Sequence, residues 1–475
     1  MHGRSGSKEY HFSAIPSFQY SNIPAFCCPM SPFFLFFLVM AVLFFQVLGN
    51  IETAASAGSK TLTLSHGGEN EVEMRWGGHV RLLGTLSFPR EGSFYDVVDS
   101  GTYEDGTAEA RLKGTLFLGK KAYFEAHYET FYSVGDTQYA QSQLADLLPQ
   151  PLKGLFGVRV LEDESRFMDL TKTIHEDDDS IWYQRLDRLY LTFLADWGSF
   201  SIGRQALTWG NGFVFNPMDL VNPFPPTDIL RDYKIGSDMV IGLVNLGVSG
   251  DLQLVYVPRR NPLTEEVSWD QSTLGGKVHL SRGTTEFDVM ALADYGDAVL
   301  GVGSRGYLGG AAWRCDATWT FVDDSPRKNG FLSLVANLDY SWVWWEKNFY
   351  GFLEFYYNGL GVNDYAEAFE DPALLARILR GELYALGKYY LSGHISMEVH
   401  PLFNIYLTVI NNLRDPSGVV QPWAVWNVTQ NLDLTFGANI YYGGKGSEYG
   451  GIVVPGIPYL YSPSLSGYVW LSYYF

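Results

Sequence analysis

The chain is short of charge. Asp, Glu, Lys and Arg make up 18% of its 475 residues, against about a quarter in ordinary soluble domains, so much of its surface faces something other than water. Long apolar runs are missing too: after residue 60 no stretch offers the roughly 18 consecutive apolar residues that a transmembrane helix needs. A helical membrane bundle is therefore excluded for the bulk of the chain. Cysteine is equally scarce. Cys27 and Cys28 precede the single apolar run and Cys315 stands alone behind it, which excludes a disulfide framework, a CxxCH haem attachment and a zinc knuckle. No cofactor and no metal are expected.

The one apolar run, Ser31 to Asn50, is followed by the small-x-small triplet Ala55-Ser56-Ala57. This reads as a secretory signal cleaved between Ala57 and Gly58, with an N-terminal membrane anchor as the alternative. The only basic residues upstream, Arg4 and Lys8, are distant from the run, and Met30 is a candidate start codon that would leave residues 1–29 untranslated. Residues 1–57 carry two basic and two acidic side chains, so the net charge of −19 belongs to the secreted chain. That acidity argues against a nucleic-acid partner.

What the chain has in plenty is aromatics, 16% of residues, and glycine, 50 in all. It also has alternation. In Leu465 to Phe475, residues Leu465, Gly467, Val469, Leu471, Tyr473 and Phe475 alternate with Ser466, Tyr468, Trp470, Ser472 and Tyr474. Lys388 to His400 and Ala108 to Leu118 repeat the pattern, with Lys388, His394 and Glu398, or Glu109, Arg111, Lys113 and Thr115, on the polar side. Successive strand residues point to opposite faces, so each segment is a strand with one apolar and one polar, charged face. A chain built almost wholly of such strands has no place for an ordinary dry core.

About eighteen such strands fall between residues 79 and 475, with sixteen as the alternative count. Every second connection is tight: 119–121, 196–198, 304–306 and 345–348. The intervening ones are mostly long, including 89–106, 134–182, 206–235, 259–271, 359–385 and 444–463. Short turns at one end and long loops at the other are the signature of a transmembrane antiparallel β-barrel of the bacterial outer membrane. A lipid-exposed strand edge would leave backbone N–H and C=O groups unpaired in hydrocarbon, and only a closed sheet avoids that cost. A soluble propeller would need a 40–50-residue internal repeat, and none is present. Tyr and Trp crowd the strand ends, among them Trp342, Trp344, Trp345, Tyr356, Tyr357, Tyr389, Tyr390, Tyr473 and Tyr474, as girdles at the two lipid-water interfaces would require. The expected organisation is a signal region over 1–57, a periplasmic N-terminal segment over 58–78, and an all-β barrel over 79–475.

Two resemblances follow from these residues. The final strand, ending in aromatic Phe475, resembles the C-terminal signal by which bacterial outer-membrane proteins are recognised for assembly, which implies the barrel-assembly machinery as a partner. The stretch GRQ…WG…FNP…D within Gly203 to Pro226 is loosely similar to a pattern in porin-like barrel families that include relatives of alginate-export barrels. It implies a porin-like barrel and names no solute.

That stretch begins as a strand and then cannot continue, because Pro217, Pro223, Pro225 and Pro226 lack the ladder donor and Gly210 and Gly212 permit tight turns. Trp209, Phe213, Val214, Phe215, Met218, Leu220, Val221 and Phe224 make it an unusually apolar loop. It needs a surface to pack on: the lumen, where it would narrow the pore, or the neighbouring loops, as a lid. In the first case Asn211, Asn216, Asp219, Asp228, Arg231 and Asp232 line a constriction; in the second they cap turns. Strand parity directs Arg111, Lys113, Glu125, Glu129, Arg188, Arg314, Asp316 and Glu354 into the lumen, where rings of charge select solutes or merely solvate a wet interior. Parity also puts Arg204 on the lipid face, unless a bulge at Gly203 turns it inward, the reading favoured here, or it snorkels at the rim.

Residues Asp136 to Gln150 read as a short helix, and Glu176-Asp177-Asp178-Asp179 as a solvated charge run or a cation bridge between lipopolysaccharides. His127, His279, His394 and His400 are candidate bases, yet no GxSxG context supports a barrel lipase or protease. A sheath for an electron-export cytochrome complex is a further alternative. The favoured function is non-enzymatic: an outer-membrane porin, monomeric or homo-trimeric, in contact with lipid and lipopolysaccharide, that passes small hydrophilic solutes. The net charge of −19 favours cations through the general field.

Overall fold

The computed structural model describes residues 60–63, 72–147, 163–223, 233–262, 264–323 and 325–475. The signal region, with the expected cleavage site at Ala57 and Gly58, lies outside them. Eighteen strands close into one antiparallel barrel. The first six are β1 (Val72–Phe88), β2 (Tyr103–Leu118), β3 (Ala122–Gly135), β4 (Ser180–Ala195), β5 (Gly198–Gln205) and β6 (Ser237–Asn245). Then come β7 (Gly250–Val257), β8 (Thr273–Arg282), β9 (Thr285–Asp294), β10 (Asp297–Leu308), β11 (Ala311–Phe321) and β12 (Gly330–Trp344). The last six are β13 (Lys347–Asn358), β14 (Tyr389–His400), β15 (Phe403–Asn412), β16 (Ser417–Thr429), β17 (Leu432–Tyr442) and β18 (Leu465–Tyr474). Among the described residues no helix is long and apolar enough to cross a membrane.

Closure is made by β1 and β18, paired from His79 opposite Tyr474 to Phe88 opposite Leu465. At the seam Gly78 donates its N–H to the Phe475 carbonyl (2.9 Å) and accepts from the Phe475 N–H (3.1 Å). Glycine is required there by close approach: a Cβ on Gly78 would lie 2.2 Å from the Arg111 carbonyl and 2.8 Å from the Phe475 ring. Since the nearer obstacle is backbone, it cannot swing aside. Gly78→Ala is expected to cost about 1–3 kcal/mol and to lower the yield of folded barrel, read as heat-modifiable mobility on gels. An unchanged yield and thermal midpoint would contradict the close approach.

The sheet starts earlier than alternation suggested. β1 begins at Val72, and a short strand, Lys60–Thr63, pairs with Glu73 to Trp76, so the segment 58–78 is in part built into the sheet. A second correction concerns the turn expected at Ser304-Arg305-Gly306. Those residues lie inside β10, with Arg305 opposite Arg314, and the chain reverses at Gly309-Gly310, where Gly309 adopts φ +63°. A left-handed position favours glycine with two neighbours free to turn; Gly306 instead approaches the Trp313 indole.

The outer and inner faces alternate as a lipid-embedded barrel demands. Val289 is 55% exposed on the outside while its neighbour Met290 is 1% exposed within, and Leu300 and Val302 face out while Val299 is buried. The lumen, however, is not uniformly wet. One buried cluster joins Trp209, Met218 and Val221 to Met239, Val255, Met290 and Val299, and another joins Phe215 to Val335, Tyr356, Tyr390, Ile410 and Val419. Tyr356 and Tyr390 thus belong to the interior and not to a lipid girdle; Tyr389, Trp344 and Trp345 are exposed as a girdle requires.

Among the described residues the long-loop end carries three α-helices: α1 (Phe94–Val98), α2 (Asp136–Leu147) and α3 (Pro372–Leu379). In α3, proline opens the helix and Asp371 accepts from the Ala373 and Leu374 amides, meeting the orphan donors of its first turn. Its buried Ala373 and Leu374 join Val322, Phe331, Leu360, Val362 and Ile452 in a third cluster. Above the end of β5, residues Thr171–Glu176 pair with β4 and continue the wall.

Candidate functional site

After Gln205 the chain leaves the wall and, within ten residues, reaches strands on the opposite side. The Trp209 indole donates to the Gln253 side chain on β7 (2.8 Å). Asn211 donates its backbone N–H (2.5 Å) and its Nδ2 (2.8 Å) to Asp316 on β11, and its carbonyl accepts from Asn337 on β12 (3.1 Å). Glu354 on β13 then accepts from three successive backbone amides, Phe213 (2.6 Å), Val214 (3.0 Å) and Phe215 (2.8 Å). Phe213 stacks on Phe352 at 4.5 Å and Phe215 on Tyr356 at 4.4 Å. A carboxylate with three amide donors is a strong, charge-assisted anchor, and the stacked rings bury the loop's apolar side chains as its composition requires. The Arg314 guanidinium lies 4.6 Å over the Phe213 ring and pairs with Asp339.

The loop closes on itself through Asp219, which accepts from Lys234 and from the Trp209 N–H (3.3 Å). Burial pushes the Asp219 carboxyl up to about 6, and Lys234 and the Trp209 amide only partly oppose it. Asn216 donates to the Trp209 carbonyl (2.9 Å) and acts as a turn clamp. Of the residues expected at a constriction, Asp228, Arg231 and Asp232 lie outside the described residues.

The returning arm packs on the other flank of the barrel. Tyr233 donates to Glu109 (2.7 Å) and lies under the Arg111 guanidinium at 3.6 Å. Arg111 pairs with Asp187 and stands 3.6 Å from Glu129, which Arg185 holds at 2.9 Å. Arg188 bonds Asp187 (2.7 Å) and the Lys234 carbonyl (2.6 Å). Glu125 meets His127 (3.1 Å) and Tyr190 (2.8 Å), while Lys113 is exposed. The expected inward charges are therefore largely paired across strands, as interior charges must be to offset their desolvation.

Arg185 and Asp187 escaped sequence reading because of a bulge. The β3–β4 register slips between His127, opposite Arg188, and Tyr128, opposite Leu186, so parity inverts within β4. The dense polar run Gln184, Arg185, Asp187, Arg188 was the available signal. Arg204 is a correction. It neither snorkels nor sits on a bulge: the β4–β5 and β5–β6 registers run through it without a shift. It is fully buried because residues 163–170 cover it, with Asp163 at 2.7 Å, the Met168 carbonyl at 2.6 Å and Asp238 on β6 at 2.8 Å.

Two other candidates resolve simply. The run Glu176 to Asp179 is exposed, and among the described residues no group of three or more His, Cys, Asp or Glu side chains is arranged to hold a metal. A Ser–His–Asp chain does occur: His279 Nδ1 meets Asp288 (3.0 Å) and its Nε2 lies 3.3 Å from Ser281. The Ser281 backbone N–H is bonded to the Ser249 carbonyl (2.7 Å), however, and Glu286 also faces that Nε2 at 3.7 Å. No backbone donor at Ser281 is left to stabilise an oxyanion.

A closed sheet of eighteen strands with an apolar exterior defines a transmembrane β-barrel of the bacterial outer-membrane type. No family model matches the chain, and no curated protein matches it. Among solved structures it is similar to OccAB2 of Acinetobacter baumannii, with a TM-score of 0.47 and 10% identity over 85% of this chain and 98% of that one. A BenF-like porin from Pseudomonas fluorescens aligns with a TM-score of 0.47 and 9% identity over 85% and 98%. Salmonella typhi OmpF in complex with daunomycin aligns with a TM-score of 0.42 and 10% identity over 86% and 98%.

Proposed function

We propose that this barrel is an outer-membrane channel for small hydrophilic solutes, with the loop 206–235 as its constriction. The observation that carries the reading is the anchoring of Phe213 to Phe215 on Glu354, together with Asn211 on Asp316, strands away from where the loop leaves the wall. Barrels of sixteen to eighteen strands leave an aqueous lumen, and a loop held across it sets the diameter and the charge that a solute meets. Asn211, Asp316, Arg314 and Arg305 are the polar groups nearest that crossing; Arg305 lies 3.4 Å from the Asn211 side chain. Arg305 and Arg314 act as fixed donors and undergo no chemical step, while the buried Asn211 and Asp316 hold the loop in place. The surrounding partners are lipid and lipopolysaccharide outside and the assembly machinery during biogenesis, and the barrel works as a monomer or a homo-trimer. Purified protein in a planar bilayer is the test: discrete ohmic conductance supports the reading, and electrically silent but folded protein overturns it.

A further inference from the structure

We infer that the long-loop mouth holds a binding site for a neutral, polyhydroxylated solute about the size of a sugar, a substrate class that rests on the channel reading above. A cavity of about 300 Å³ lies there, bounded by Arg166, Asn222, Arg259, Tyr295, Arg380 and Glu382. It falls at the small end of the range for small-molecule sites. Ser165 and Tyr384, on its lining, are exposed and mark its solvent side.

The charge balance decides the ligand class. Each guanidinium on the lining faces a carboxylate: Arg166 with Asp163 (2.5 Å), Arg380 with Glu382 (2.9 Å) and Arg259 with Asp294 (3.7 Å). The lining carboxylate Asp238 is in turn held by Arg204 (2.8 Å). A site for an ion needs a surplus of the opposite sign, whereas the described residues named here set four guanidinium groups against four carboxylates. Donors and acceptors standing side by side instead suit hydroxyl groups, which both donate and accept.

Two further features point the same way. Asn222 donates its Nδ2 to the Ile235 carbonyl (2.8 Å), while its buried Oδ1 has no hydrogen-bond partner among the described residues, an acceptor left over for a ligand O–H. Leu220, Val221 and Val257 complete an apolar wall against which the C–H face of a sugar ring can pack. Tyr295 stands out because it occupies a left-handed position, φ +50°, ahead of Gly296 at +86°, where Asn, Asp or Gly is the ordinary choice. Its ring is held between Arg259 (4.4 Å) and Arg380 (4.0 Å). Non-glycine residues persist in such conformations where their surroundings over-determine them, often at binding sites.

The test uses the full chain in a planar bilayer, with glucose or sucrose added at constant ionic strength and sodium succinate and choline chloride as ionic comparators. Saturable block of the current by sugar and not by either ion is expected. Tyr295→Asn, which retains good turn chemistry, removes the ring that holds Arg259 and Arg380 in place on the lining and should raise the half-blocking sugar concentration about tenfold. Block by succinate or choline alone, no saturable block by sugar in a conducting channel, or equal half-block in wild type and Tyr295→Asn would overturn the inference. Should no current flow, the channel reading fails on its own. Calorimetric titration of the detergent-solubilised protein with sucrose then decides the site, with saturable heats weakened in Tyr295→Asn supporting it and no heats refuting it.

Discussion

Replacing Glu354 with alanine should widen the pore severalfold in conductance while leaving the barrel folded. The Glu354 carboxylate is 1% exposed and is the shared acceptor for the amides of Phe213, Val214 and Phe215, with Asn337 Nδ2 as a fourth donor at 3.2 Å. Removing that acceptor leaves its buried N–H donors unpaired, at about 1–3 kcal/mol each while they stay buried. The loop has a cheaper course. Its amides regain water if the segment lifts from β13, and the stacked pairs Phe213–Phe352 and Phe215–Tyr356 are the contacts that resist. Because the strand ladder does not depend on Glu354, heat-modifiable mobility should be retained. Glu354→Gln keeps one carbonyl acceptor and should fall between wild type and alanine. Single-channel recordings of the three proteins check the order; equal conductances would mean that the anchor does not govern the path.

The second large effect is a pH dependence centred on Asp219. Burial raises its carboxyl to about 6 in the packed loop, whereas in a solvated, lifted loop it returns to the ordinary range near 3.9. The packed arrangement therefore holds the proton more tightly than the lifted one. Its extra stability is fully present below the solvated value and is lost as pH rises through about 6. Over that window the difference is on the order of 2–3 kcal/mol. Acidification from pH 7.5 to 4.5 should thus lengthen the narrow, low-conductance state. Asp219→Asn imitates the protonated form, so it should show the low-pH behaviour throughout and flatten the profile. A wild-type dwell-time profile that runs in the opposite sense, or an unchanged profile in Asp219→Asn, would remove Asp219 from this role.

The barrel itself was legible because its cause is local. Alternation reports which face a residue takes, and turn chemistry reports where the chain reverses, so the strand count and the two ends follow from residues close in sequence. The failures are of the same kind. Ser304-Arg305-Gly306 looked like a turn, but Gly309-Gly310 has the better turn chemistry four residues on. In β4 one extra residue inverts parity and hides Arg185 and Asp187. The site was less legible because its cause is distant. That Trp209, Phe213 and Phe215 need an apolar partner is plain from the loop. That the partners are Met239 and Met290, or Phe352 and Tyr356, depends on strands up to about 140 residues away. Strands such as Thr285–Asp294 carry apolar residues on both faces, and nothing local separates the face that meets lipid from the face that meets the loop. Glu354 looked like any inward charge; only the fold brings three amides to it.

If the loop between β5 and β6 sets the path through the barrel, removing it opens that path. The most direct measurement is the conductance and reversal potential of the full-length protein in a planar bilayer, wild type against a variant lacking residues 211–226. The wild type should conduct with a preference between ions, and the deletion should conduct severalfold more with that preference reduced. Equal conductance and equal reversal potential in the two proteins would contradict it.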